Sequence, residues 1–127
     1  MKKILLVDND AMFTGMVSYL LEKEQFHVSI AKDGKEAASA LAAGHYDLVI
    51  SDMFMPYSNG FELLNDVRKN KVNPYTPVMV VSDVSNELSI ANCFRLGADA
   101  YLTKPVNVPG FLSEIKNLVI QQENVAA

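Results

Sequence analysis

Four apolar runs in this chain each end in polar or charged side chains, and no other feature of the sequence constrains the fold as much. Ile4-Leu5-Leu6-Val7 runs into Asp8, Leu48-Val49-Ile50 into Ser51 and Asp52, Val78-Met79-Val80-Val81 into Ser82 and Asp83, and Ala100-Tyr101-Leu102 into Thr103 and Lys104. A strand that is apolar without alternation is covered on both faces, as in a parallel sheet. An ionised carboxylate at the buried end of such a strand is costly unless something holds it. A single acid there reads equally well as a helix cap or a turn. Several such ends in one chain point to a shared site.

Between the runs the hydrophobic period changes to that of helices. Phe13, Met16, Val17 and Leu20 recur at helical spacing behind Asp10, a natural N-cap. His27-Val28-Ser29-Ile30-Ala31 alternates, as an edge strand with one less buried face would. Asp33-Gly34-Lys35-Glu36 has capping-box spacing and opens an alanine-rich helix through Ala43, stopped by Gly44. Asn59 and Glu62 give a second cap signal, with Phe61, Leu64 and Val67 on one face. Asn73-Pro74-Tyr75-Thr76-Pro77 is punctuation. Ser85, with Asp83 as a second candidate, can cap a helix carrying Leu88, Ala91 and Phe94 that ends at Gly97. The last helix starts near Asn107, with Pro109 in its first turn and Phe111, Ile115 and Leu118 as its buried stripe.

Strand and helix thus alternate five times with short connections and no internal repeat. This predicts an α/β fold, a five-stranded parallel sheet with helices on both faces, within one domain over residues 1–127 whose last residues serve as linker or tail. The 127-residue length suits one substantial core. A net charge of −4 and a pI near 5.0 argue against direct nucleic-acid binding, because phosphate backbones select basic faces. The single cysteine, Cys93, cannot pair within the chain, so a reducing cytoplasm is the expected compartment. The apolar run behind Met1-Lys2-Lys3 is too short for a signal peptide, and no stretch is long enough to span a bilayer, so no membrane association is expected.

In a doubly wound sheet the ligand site lies beyond the carboxyl ends of the strands. Asp8, Asn9, Asp52, Ser82 and Lys104 would gather there. Two acids and an amide form an all-oxygen set suited to a hard cation such as Mg2+. A lysine and a serine hydroxyl opposite them suit phosphoryl oxygens under in-line attack, with Asp52 as a carboxylate nucleophile. No glycine-rich phosphate cradle follows the first strand, which disfavours a nucleotide or flavin site. Neither His27 nor His45 has a partner in the sequence pattern, so catalytic or zinc roles are not expected of them.

The motifs LLVDND, YDLVISDMFMP, VMVVSD and GADAYLTKP stand in an order and at intervals that resemble the receiver domains of two-component response regulators, from about Lys3 to Val119. The resemblance implies the strand order 2-1-3-4-5. It implies that Asp52 is the phosphoacceptor and that Asp8, Asn9, Asp52 and the Phe54 backbone carbonyl hold Mg2+. It implies that Ser82 hydrogen-bonds the phosphoryl group, that Lys104 pairs with it across a cis Lys104–Pro105 bond, and that Tyr101 is the switch aromatic. The donor would be a phosphohistidine on a sensor histidine kinase or phosphotransfer protein. The output would be a downstream protein on the surface of the fourth helix, fifth strand and fifth helix. No enzymatic activity is implied beyond Mg-dependent self-phosphorylation and self-dephosphorylation at Asp52.

Two positions depart from the family's pattern. Asn9 replaces the second acid, and Asp83 stands where a small residue normally leaves room. Asp10 is better explained as a helix cap than as a replacement acid. The departures keep open a second reading, a degenerate receiver that binds protein partners without phosphate.

Overall fold

A computed structural model describes residues 1–52, 60–69 and 75–126, with the helical backbone alone for residues 60, 61 and 121–126. The elements in chain order are β1 Lys3–Val7, α1 Ala11–Lys23, β2 His27–Ala31, α2 Gly34–Ala43, β3 Leu48–Ser51, α3 Gly60–Arg68, β4 Val78–Ser82, α4 Glu87–Arg95, β5 Ala100–Thr103 and α5 Val108–Ala126. The five strands form one parallel sheet in the order β2-β1-β3-β4-β5, as expected.

The unbroken apolar strands are explained by two cores, one on each face of the sheet. In β1, Leu5 and Val7 point into one core, with Ala37 of α2, Leu64 and Val67 of α3 and Cys93 of α4. Ile4 and Leu6 point into the other, with Val17 and Leu21 of α1 and Phe111, Ile115 and Leu118 of α5. Alternate side chains serve opposite faces because the strand period is two. The edge strand β2 is more open but does not alternate strictly: His27 and Ile30 are exposed, Val28 and Ser29 half-buried and Ala31 buried.

The caps follow local chemistry. The Asp10 carboxylate accepts from the N–H groups of Met12 and Phe13. Asp33 accepts from Glu36 N–H, while the Glu36 carboxylate reaches back to Lys32 N–H, one residue beyond the expected box. Gly44 ends α2 in an extended conformation. Asn107 caps α5 through Gly110 N–H at 2.9 Å. The cap of α4 is Asn86, whose side chain accepts from Ser89 N–H at 2.8 Å; neither Ser85 nor Asp83 fills that role. Asp83, Ser85 and Asn86 all carry side chains that can cap, and Asn86 does so because the helix begins directly after it, at Glu87. α4 closes in a Schellman motif on Gly97, with φ +112°, where Ala98 N–H donates to Cys93 O and Gly97 N–H to Phe94 O.

Two helices turn differently from their periodicity. In α1 the buried residues are Thr14, Val17 and Leu21, while Met16 is exposed and Leu20 half-buried. In α4 the Leu88, Ala91 and Phe94 stripe faces solvent and Cys93 is buried instead. Both helices carry apolar residues on more than one face, so the periodicity alone does not select the buried one. The cap signal at Asn59, the side chain of Phe61 and the Asn73-Pro74 turn lie outside the described residues.

Candidate functional site

The strand register sets the site. Val7 pairs with Ser51, and Ser82 with Thr103, so Asp8, Asp52 and Lys104 each lie one residue beyond a paired strand end. Backbone bonds hold them there: Asp8 N–H donates to Ala31 O, Asp52 N–H to Val7 O and Lys104 N–H to Ser82 O, at 3.1, 3.0 and 2.9 Å.

Asp8 is only 2% exposed, an ionisable group among apolar strands, and its carboxylate is held from two sides. One oxygen accepts from Asp10 N–H at 2.9 Å. The other accepts from the Lys104 ammonium at 2.9 Å, which also reaches Asp52 at 3.4 Å. Burial pulls the Lys104 pKa down. The hydrogen bond to Asp8 and the charges of Asp52 and Asp8 outweigh it and raise the pKa above the ordinary lysine value. The Lys104–Pro105 peptide is cis, as the resemblance implied.

Ser82 is buried, and its Oγ accepts from Val84 N–H at 3.1 Å. The Tyr101 hydroxyl donates to the Val84 carbonyl, tying β5 to the connection that leads into α4. Burial pushes the Tyr101 phenol pKa up, partly offset by a hydrogen bond with Ser82. Sequence reasoning did not anticipate the Val84 carbonyl, because a backbone acceptor leaves no signature in side-chain identity.

The remaining candidates divide. Asn9 is exposed beside Asp8, and Asp83 is exposed on the rim of a groove of about 490 Å³ that opens beside Lys104 between the start of α1 and the β5–α5 connection. Asp10 is committed to capping. Phe54 lies outside the described residues. Asp8, Asn9 and Asp52 keep the all-oxygen character that fits a hard cation. Both Asp8 oxygens are already engaged, which suits a contact through water. Among the described residues no group of three or more His, Cys, Asp or Glu side chains is placed to hold a metal, so a cation there would need amide, carbonyl and water ligands as well. His45 does have a partner, contrary to expectation: its Nε2 lies 3.5 Å from Asp47, which also accepts from Lys3 N–H, at the far end of the sheet. Cys93 is buried and its thiol pKa is raised by that burial, which disfavours the reactive thiolate.

Residues 4–116 match the response regulator receiver domain family. The chain belongs to that family. Among relatives, the transcriptional regulatory protein CpxR of Escherichia coli K12 is 37% identical over 119 residues, 94% of this chain and 50% of the relative. The receiver domain thus spans about half the length of that relative. A CheY-like receiver domain protein from Methanospirillum hungatei JF-1 superposes with a TM-score of 0.90 at 30% identity, covering 98% of each chain. TrrA of Thermotoga maritima, solved in complex with Mg(2+)-BeF, has a TM-score of 0.81 at 30% identity, covering 93% of this chain and 99% of its own. Receiver domains bind Mg2+ and work with histidine kinases and downstream effectors. Among the described residues no helix is long and apolar enough to cross a membrane.

Proposed function

We propose that this receiver domain is a phosphoacceptor switch that takes a phosphoryl group from a phosphohistidine, on a sensor kinase or phosphotransfer protein, onto Asp52. The observation that carries the reading is the Lys104 ammonium lying between Asp8 and Asp52 at 2.9 and 3.4 Å. A cation held there by two acids can move to a phosphoryl oxygen without leaving the site.

An Asp52 carboxylate oxygen attacks phosphorus in line. The new P–O bond forms as the P–N bond to the donor imidazole breaks, and the nitrogen leaves with the electron pair. Lys104 neutralises one phosphoryl oxygen and the Ser82 hydroxyl donates to another. Asp8, Asn9 and Asp52, with the Phe54 carbonyl, would hold Mg2+, which when bound neutralises phosphoryl charge. Water then hydrolyses the acyl phosphate, so no second substrate is turned over.

The output is a population shift, in which the phosphoryl group acts only as far as it favours one conformer. Ser82 and Tyr101 share the Val84 segment, so a change at Ser82 is felt in β5 and at the start of α4. There Leu88 and Phe94 are 73% and 46% exposed, apolar surface suited to a downstream protein on the α4–β5–α5 face. We place this action in the cytoplasm, where Cys93 stays reduced. Any contact with nucleic acid would belong to a further domain.

The test is incubation with Mg2+ and acetyl phosphate, read by intact mass. One labile phosphoryl group is expected on the wild type and none on Asp52→Asn. No uptake by the wild type would leave a phosphate-independent binding module, and equal uptake by the variant would move the site elsewhere.

A further inference from the structure

We propose that Phe13 is a positioning residue for this site, holding the Lys104 ammonium against Asp8 and Asp52 with the face of its ring. The inference rests on the phosphoacceptor reading of Asp52 and adds a residue to it. The Lys104 Nζ lies 4.4 Å from the centroid of the Phe13 ring, well inside the range of attraction between a cation and an aromatic face. The ring is half-buried and packed against the α1–α5 core, so its orientation is held by neighbours.

The backbone of Phe13 is tied to the same acid that Lys104 contacts. Asp8 accepts from Asp10 N–H at 2.9 Å, Asp10 accepts from Phe13 N–H at 3.2 Å, and Lys104 donates back to Asp8 at 2.9 Å. Ring, cap, acid and ammonium therefore close a circuit. A neutral ring has an advantage over a third carboxylate here. It attracts the ammonium without cancelling the charge that a phosphoryl oxygen needs, and it competes with neither acid for a hydrogen. When Lys104 exchanges a carboxylate for a phosphoryl oxygen, the contact with the ring can persist.

The experiment compares wild type with Phe13→Leu, Phe13→Met and Phe13→Tyr. Initial rates of acetyl phosphate labelling are measured with Mg2+, and the Lys104 CεH2 protons are followed by NMR without phosphodonor. The ring face should shift those protons upfield in wild type and Phe13→Tyr but not in the aliphatic variants. Labelling should slow about fivefold in the aliphatic variants and recover in Phe13→Tyr. Aliphatic variants at the wild-type rate would overturn the proposal, as would Phe13→Tyr slowed as much as Phe13→Leu, which would indicate packing alone. If no form takes up phosphate, the phosphoacceptor reading fails and the shift decides separately: without an upfield shift in wild type, the ring does not hold the ammonium.

Discussion

Replacing Lys104 by Met removes the charge that holds Asp8 while keeping most of the buried stem. At an effective dielectric near 20, the contacts at 2.9 and 3.4 Å correspond to gross attractions of about 6 and 5 kcal/mol, most of it offset by desolvation. Removing one partner leaves the other's desolvation uncompensated, which for a buried pair costs about 3–5 kcal/mol. Asp8, 2% exposed, keeps the Asp10 N–H, and Asp52 retains access to solvent, so the lower end applies. Lys104→Met should therefore lose about 3 kcal/mol of stability at pH 7 with EDTA present. Asp8→Asn removes the other member, and in the double variant neither charge is stranded. Urea unfolding followed by circular dichroism should give a coupling of about 2 kcal/mol in the four-member cycle. A coupling below about 0.5 kcal/mol would refute the account, since it would mean that Asp8 does not depend on the ammonium.

Other consequences are as direct. Because the folded pKa of Lys104 is raised, its contribution is fully present below about pH 10.4 and is lost as pH rises through the folded value, so wild type should lose stability in alkali more steeply than Lys104→Met. Asn9→Asp should raise Mg2+ affinity at least about tenfold, a gain of only ~1.4 kcal/mol from a full added charge, and titration followed by NMR would show it. Asp83→Ala should leave that affinity unchanged; weaker binding would make Asp83 a ligand. Gly15 lies exposed inside α1, and a Cβ there meets nothing within 4 Å, so Gly15→Ala should add up to about 1 kcal/mol to unfolding stability.

The sequence alone was enough to determine the alternation of strands and helices, the double burial of β1, β3 and β4, and the polar residues at the sheet's carboxyl end. Those features are local: a continuous apolar run can be satisfied only by cover on both faces, and Asp10 or Asp33 caps through bonds two or three residues away. The gathering of Asp8, Asp52 and Lys104 was legible for the same reason, since each follows the end of a different strand. Tertiary structure decided which face of α1 and α4 is buried, that Asn86 and not Ser85 caps α4, and that Asp8 holds Lys104 more closely than Asp52 does. It also turned Phe13 from a core-stripe residue into a contact of the ammonium. Lys104 and Asp8 are 96 residues apart, and their distance depends on strand register and on how α1 rolls against α5. Helix rolling is set by competition between several apolar faces for one sheet, and that competition is settled only when all the elements pack together.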